Sequence, residues 1–313
     1  MQAVTKIIFT DNNGDKFFGE GPCRLLRLVD QTGSLRAAAM EMGMAYSKAT
    51  KLIKLAEAAL GFSLTTRSTG GKDGGGSRLT PEGRQWLIQY ETYRNACLRA
   101  NQALYRQHFP KIGCVIMASG MGKRFGGNKL MADFCGKPMI QRALDATEGL
   151  FFRRVVVTRH ESVAALCREQ NVDAIFHALP HRNDTVRLGL EALGDMDACM
   201  FLPGDQPLLR RETVAMLLEN RKDHPDNILR LAFEDNEGSP VLFPDRFFPE
   251  LKNLPEGKGG GVVIKNHPHE VLHVCVSNPF ELADVDTPEM LETLKVFFHD
   301  DTTGNSHINW SNI

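Results

Sequence analysis

The sequence is short of several things. Its 313 residues include seven cysteines, at 23, 97, 114, 135, 167, 199 and 275. They stand singly, no two form a C-x-x-C pair, and an odd number cannot all close as disulfides. This excludes a disulfide scaffold and predicts a reducing, cytoplasmic setting. No apolar run approaches the ~20 residues of a membrane span, and the opening MQAVTKIIFTDNNGDKFFGE lacks the apolar stretch of a signal peptide. A membrane is therefore not expected as a partner. An excess of charge is missing too, since 37 Lys+Arg face 38 Asp+Glu for a net of −1. No Ser/His/Asp or Cys/His constellation suggests a protein nucleophile. What remains is ordinary globular composition, 42% hydrophobic and 24% charged, which excludes wholesale disorder. The length suits two domains.

The near-zero charge hides a split. Residues 1–110 carry 15 Lys+Arg against 9 Asp+Glu, whereas residues 111–313 carry 22 against 29. A basic half joined to an acidic half suggests two modules with different partners. The expected division is a basic module over 1–110, an acidic one over 111–299, and a polar tail over 300–313.

In the basic half, a strand-like Lys6–Thr10 precedes a helical pattern from Pro22 to Asp30, with Cys23, Leu25, Leu26, Leu28 and Val29 on one face. Ser34 is a candidate N-cap for a short helix Leu35–Met42, and Gly43 supplies the tight turn of a helix-turn-helix. A third helix, Tyr46 to Leu60, carries Ala49, Leu52, Ile53, Ala56 and Leu60 at three- and four-residue spacing. Its other face shows Tyr46, Ser47, Lys48, Thr50, Lys51 and Lys54, hydroxyls and lysines suited to phosphates and base edges in a DNA major groove. Arg67 and Arg78 then flank a glycine-rich tip, Gly70-Gly71-Lys72-Asp73-Gly74-Gly75-Gly76, which reads as a β-hairpin wing with Arg67, Lys72 and Arg78 available to phosphate. After Pro81 a long helix runs to about Arg106, with Trp86, Leu87, Tyr90, Tyr93, Cys97, Leu98 and Leu104 as its apolar stripe. A long helix after a wing suits a homodimer on two half-sites. The stretches LLRLVDQTGSLRAAAMEMGMAYSKATKLI and RSTGGKDGGGSRLTPEGRQWL resemble the winged helix-turn-helix domain of the ModE-type molybdate-responsive regulators, which are related to the LysR type. That resemblance implies binding of double-stranded DNA.

From Lys111 strands alternate with helices. Apolar runs at 112–118, 154–159, 173–178, 198–205 and 228–233 predict buried strands. Met139–Glu148, Ser162–Glu169, Thr185–Ala192 and Arg211–Arg221 predict helices between them. Such alternation implies a mainly parallel sheet with ligands beyond the strand C-termini. The expected fold is α/β: an N-terminal winged helix-turn-helix domain plus a C-terminal Rossmann-like domain.

The first of these strands enters Ala118-Ser119-Gly120-Met121-Gly122-Lys123-Arg124-Phe125-Gly126-Gly127-Asn128-Lys129. The spacing is neither a Walker A motif nor a dinucleotide fingerprint. It offers a glycine-rich phosphate cradle with Lys123, Arg124 and Lys129 adding charge. The fourth strand ends in Leu202-Pro203-Gly204-Asp205-Gln206-Pro207, where Asp205 is placed to hold Mg²⁺ on a triphosphate. Asp286, in Ala283-Asp284-Val285-Asp286-Thr287-Pro288-Glu289, is a second candidate carboxylate, although Asp286 or Thr287 also suits a helix N-cap before Pro288.

These segments, together with Gly136-Lys137-Pro138, GSPVLFPDRFFPEL (238–251) and PEGKGGGVVI (255–264), resemble the nucleotidyltransferases that mature the molybdenum cofactor. The match runs from about Ile112 to Leu294. The Ala118-Ser119-Gly120 opening and the GDQP form favour the cytidylyltransferase branch over the guanylyltransferase branch, although Gly122 and Ser119 depart from its usual Ser and Ala. The resemblance implies that Ala118, Ser119, Gly120, Gly122, Lys123, Arg124 and Lys129 hold the nucleotide, with Arg124, Lys129 and Asp205 catalytic. Asp205 would bind Mg²⁺, and Asp286 would bind the ion or orient the acceptor. Asn183 and Thr185 would neighbour the base. Gly238, Pro240 and Gly257-Lys258-Gly259 would lie on the acceptor side. The implied reaction takes CTP (or GTP) to the terminal phosphate of molybdopterin, releasing pyrophosphate. Three arrangements are compatible with the sequence: a bifunctional regulator and transferase, a regulator whose transferase-like domain senses nucleotide or cofactor, and a transferase whose helix-turn-helix only dimerises.

Overall fold

The computed structural model describes residues 3–68 and 76–303, with backbone alone at 68 and 299–303. The wing tip with Lys72, and residues 304–313 of the expected tail, lie outside the described residues. The chain divides into two compact units, Met1–Tyr105 and Arg106–Ile313.

In the first unit a short ribbon, β1 (Phe9–Thr10) and β2 (Lys16–Phe18), precedes α1 (Glu20–Thr32), α2 (Leu35–Glu41) and α3 (Tyr46–Leu60). Strands β3 (Thr65–Ser68) and β4 (Gly76–Leu79) pair antiparallel, and α4 (Pro81–His108) follows. The helices form where the apolar spacing requires. Leu25, Leu26 and Val29 of α1 are fully buried with Ala38, Ala49 and Ala56. Side chains of leucine size contribute about 1.5–3 kcal/mol each when fully buried. Ser34 caps α2, accepting from the Ala37 amide at 3.3 Å. Gly83 in the first turn of α4 has a geometric reason: a Cβ there would lie 2.2 Å from the Leu64 carbonyl oxygen. The α4 stripe divides. Leu87 and Tyr90 are buried, and the Tyr90 hydroxyl donates to the Ile7 carbonyl at 3.0 Å, while Tyr93, Leu98 and Leu104 are exposed. Apolar spacing alone does not tell a core face from a face left open.

The second unit contains β5 (Ile112–Ala118), a small hairpin of β6 (Asp133–Phe134) and β7 (Lys137–Pro138), and α5 (Met139–Thr147). Then come β8 (Arg153–Thr158), α6 (Glu161–Glu169), β9 (Ala174–Phe176), α7 (Arg182–Leu193), β10 (Ala198–Pro203) and α8 (Arg211–Asp223). Strands β11 (Ile228–Phe233) and β12 (Asn236–Pro244) lead to α9 (Phe248–Lys252), α10 (Gly261–Asn266), β13 (Val271–Cys275) and α11 (Pro288–Thr303). Seven strands form one sheet in the order β13-β11-β12-β10-β5-β8-β9. Neighbours pair parallel except on either side of β12, which runs antiparallel to both β10 and β11. Buried residues cover both faces, one around Ile116, Leu144 and Leu202, the other around Val115, Val157 and Leu190. Both faces being dry explains why these strands read as continuous apolar runs. The C-terminal ends of β5, β8 and β10 lie side by side, which places the loops after them at one edge of the sheet.

Candidate functional site

The loop after β5 is folded by its own carbonyls. Gly122 O accepts from Phe125 N and Gly126 N, both at 3.0 Å. The Ser119 carbonyl accepts from Arg159 Nε at 2.8 Å, and the Gly120 carbonyl lies 2.7 Å from His160 Nε2. The amides of residues 120–124 donate no hydrogen bond among the described residues. A run of open amides beside an exposed arginine is a nest for an anion. Gly122 is required by the turn: its φ is +57°, and a Cβ would stand 2.3 Å from the Gly127 oxygen.

This loop borders a cavity of about 440 Å³. Of the candidate residues named from the sequence, Ser119, Gly120, Arg124, Thr185, Asp205 and Asp286 line it, and so do Arg159, His181, Arg182, Ser239 and Asp284. Ala118 is buried behind the loop, where its carbonyl accepts from Thr158 Oγ1 at 2.9 Å. Lys123 is exposed and away from the cavity wall. Asn183 is turned elsewhere, accepting from the Gly257 amide at 2.9 Å and so tying the start of α7 to the 257–261 segment. The α7 N-terminus is capped reciprocally by His181 and Asp184 and presents His181, Arg182 and Thr185 to the cavity. Deeper in, Ser119 Oγ lies 2.9 Å from His177 Nε2 and donates to Val157 O at 3.0 Å. Burial and the nearby Arg159 hold His177 below the usual histidine range.

Opposite the loop sit the carboxylates. Asp205 follows β10, and Asp284 and Asp286 precede α11. Val285 N donates to Asp205 O at 2.9 Å, which brings the two segments together. Fully buried Glu281 pairs with Arg210 at 2.7 Å and also accepts from Thr213 Oγ1, anchoring the segment to the start of α8. Lys129 lies between the carboxylates, its side chain 8% exposed. Its Nζ is 2.6 Å from Asp205 Oδ2, 3.2 Å from Asp286 Oδ1 and 2.6 Å from Val285 O. Arg124 reaches the other Asp286 oxygen at 2.8 Å.

Burial opposes the Lys129 ammonium, but the Asp205 and Asp286 carboxylates outweigh it and its pKa is raised. Asp284 opens to the cavity, yet surrounding protein and then the Asp205 charge push its carboxyl up to about 6.

Hard carboxylate oxygens from Asp205 and Asp286, which line the same cavity, are the donor chemistry of a Mg²⁺ site. Among the described residues no three His, Cys, Asp or Glu side chains are gathered as a ready-made metal cluster. The residues fit the ion once Lys129 gives way. His267 pairs with Glu250 at 2.8 Å and His273 with Glu237 at 2.7 Å.

A second cavity, of about 590 Å³, shares Met117, Arg182 and Ser239 with the first. Arg182, Arg230, Lys258 and Lys265 line it with Phe201 and Phe243. Sequence reading missed Arg159, Arg182, Arg230 and Lys265. Each is an ordinary surface-type residue in the sequence, and only the fold gathers them.

In the first unit, Tyr46, Ser47, Thr50, Lys51, Lys54 and Leu55 of α3 line an open concavity. Lys48 is exposed beside it, and Arg36 stacks over the Tyr46 ring at 5.8 Å. Register pairs Thr66 with Arg78 and Arg67 with Ser77, so Arg67 and Arg78, both exposed, lie on opposite faces of the ribbon.

Comparison with known proteins decides the family. Residues 114–271 match the MobA-like NTP transferase domain. The chain belongs to that family. Residues 23–84 match the bacterial regulatory helix-turn-helix protein family of the lysR type, so a regulator-type DNA-binding domain precedes the transferase domain. Among curated relatives, the 3-deoxy-manno-octulosonate cytidylyltransferase of Brucella anthropi is 33% identical over 124 residues, covering 37% of this chain and 49% of that protein. The Helicobacter acinonychis protein of the same name is 26% identical over 194 residues, covering 53% and 79%. An Aquifex aeolicus protein described as "Probable molybdenum cofactor guanylyltransferase" is 25% identical over 120 residues, covering 35% and 54%. The chain thus spans about half the length of the Brucella and Aquifex relatives. The fold is shared with Rv0371c of Mycobacterium tuberculosis H37Rv, with TM-score 0.54 and 21% identity over 59% of this chain and 98% of that one. It is also shared with a nucleotidyl transferase from Methanothermobacter thermautotroptrophicus, with TM-score 0.53 and 17% identity over 61% and 99%. Among the described residues, no helix is long and apolar enough to cross a membrane.

Proposed function

We propose that the second unit is a Mg²⁺-dependent molybdenum cofactor cytidylyltransferase and that the first binds double-stranded DNA as a homodimer. The observation that carries the transferase reading is the glycine loop, whose Gly120 and Arg124 line one cavity with Asp205 and Asp286 and whose amides at 120–124 donate no hydrogen bond among the described residues. A triphosphate fits the amide side. The carboxylates would hold Mg²⁺, which when bound neutralises charge on the triphosphate. Arg124 is exposed on the loop and can follow the phosphates. Thr185, His181 and Arg182 border the far end, where the base would sit near the α7 N-terminus.

The acceptor belongs in the second cavity. Its four cations and two phenylalanines suit a phosphorylated heterocycle such as molybdopterin, and the shared Arg182 and Ser239 border both substrates. An oxygen of the acceptor phosphate attacks the α-phosphorus of CTP. The bond from that phosphorus to the bridging oxygen of the β-phosphate breaks, and pyrophosphate leaves with the electron pair. Catalysis rests on positioning and charge neutralisation rather than on a protein nucleophile. CTP is preferred over GTP for the Ala118-Ser119-Gly120 opening and for the cytidylyltransferase relatives.

For DNA, α3 would enter the major groove with Tyr46, Ser47, Lys48, Lys51 and Lys54, while Arg67, Lys72 and Arg78 reach phosphates. The exposed Tyr93 and Leu104 of α4, on the same side of the helix, supply apolar area for a second copy. The test is turnover: the protein with Mg²⁺, CTP and the molybdenum-loaded pterin should release pyrophosphate.

A further inference from the structure

Lys129 stands where the divalent ion would have to bind. Its ammonium has three protons, and three oxygens accept from it: Asp205 Oδ2 at 2.6 Å, Val285 O at 2.6 Å and Asp286 Oδ1 at 3.2 Å. Arg124 covers the second Asp286 oxygen. Magnesium needs its oxygens at about 2.0–2.1 Å and sheds water reluctantly, so it cannot share these carboxylate oxygens with a buried ammonium. The like charges also repel. The same lysine follows directly on the open-amide loop, with Lys129 N donating to Gly127 O at 3.0 Å. It is therefore within the element that a bound triphosphate would engage.

From this geometry we infer that Lys129 is a built-in counter-cation that holds Asp205 and Asp286 in place and excludes the divalent ion until nucleotide draws it away. The inference rests on the reading of Asp205 and Asp286 as the metal ligands. Without a cation between them, Asp205, Asp284 and Asp286 form a cluster of like charges. With Lys129 between Asp205 and Asp286 and Arg124 on Asp286, two of those three charges are offset before any ligand arrives. A triphosphate at the 120–124 amides offers Lys129 a second set of anionic oxygens. Each Lys129 bond moved to phosphate then opens a carboxylate oxygen to the ion. Nucleotide and divalent ion consequently bind with positive coupling, because Lys129 holds Asp205 Oδ2 and, with Arg124, both Asp286 oxygens while no nucleotide is bound. Arg124 makes the same exchange at the rim, where its side chain is 74% exposed.

The test is direct binding of Mn²⁺, read by electron paramagnetic resonance without nucleotide. The proteins compared are the full chain, Lys129→Met, Asp205→Asn, and the double variant Lys129→Met/Asp205→Asn. The expected result is weak binding by the unaltered protein. Lys129→Met should bind tighter by about tenfold or more, the usual size of a coupling between sites, and the double variant should lose the gain. Equal Mn²⁺ affinity in the unaltered protein and Lys129→Met, with loss on Asp205→Asn in both, overturns the counter-cation while leaving the metal ligands standing. Mn²⁺ binding that ignores Asp205→Asn overturns the ligand assignment itself. Where Lys129→Met does not fold, Lys129→Gln keeps one donor for Asp205 and carries the same expectation. Tight nucleotide-free Mn²⁺ binding at Asp205 of the unaltered protein overturns the inference without any Lys129 variant.

Discussion

Lys51 and Lys129 are both lysines facing a prospective anion, and the two units hold them in opposite ways. Lys51 stands with Lys48 and Lys54 on the outer side of α3, exposed and without an ion pair among the described residues. Lys129 is buried and bonded to two carboxylates and a carbonyl. An exposed cation binds by displacing solution ions, so its contribution falls as salt rises. A buried, paired cation binds by exchanging one protein partner for a ligand, and a Debye length of solvent ions hardly enters. The comparison predicts a first unit that is sensitive to salt and a second that is sensitive to single carboxylates.

The largest expected effect is at Asp205. Asp205→Ala removes a carboxylate that both the metal and Lys129 use, and turnover should fall by about 10²-fold or more. DNA affinity of the same variant should be unchanged. A variant that keeps full turnover contradicts the metal assignment, and one that loses both activities erases the contrast between the units. Next is the triple change of Lys48, Lys51 and Lys54 to Ala. Where all three touch phosphate, the slope of log affinity against log salt should drop by about 0.9 for each contact, with pyrophosphate release untouched. An unchanged slope removes α3 from the DNA contact. The smallest of the three is Gly122→Ala. Left-handed backbone costs a non-glycine residue about 1–2 kcal/mol, and the new Cβ also meets the Gly127 oxygen. The Michaelis constant for nucleotide should rise by about tenfold, each 1.4 kcal/mol being one decade. A normal constant would show that the 120–124 amides are not used.

Much of the fold is legible in the residues because periodicity carries it. The spacing of Ala49, Ile53 and Ala56 marks α3, and the mainly apolar runs at 112–118 and 228–233 mark β5 and β11. The antiparallel placement of β12 is not legible. GSPVLFP looks like any apolar strand, and direction is decided only by pairing with β10 and β11. The site divides in the same way. Ser119, Gly120, Arg124 and Asp205 follow strand ends directly, so motif spacing finds them. His181 and Arg182 arrive from the start of α7, where nothing local marks them, while Arg159 after β8 and Asp284 beside Asp286 stand in or next to segments read from the sequence without being singled out. Asn183 shows the limit of motif transfer, since its side chain holds the Gly257 amide rather than facing the nucleotide cavity. Lys129 shows a subtler one. Spacing after a glycine loop suggests a phosphate ligand, and only the fold reveals the carboxylates that hold it first.

The account stands or falls on nucleotidyl transfer by the second unit. The most direct measurement is pyrophosphate release from the full chain given Mg²⁺, molybdenum-loaded pterin and either CTP or GTP. The account predicts release that requires the pterin and the metal and is faster with CTP than with GTP. A folded protein that binds DNA yet releases no pyrophosphate with either nucleotide would contradict it.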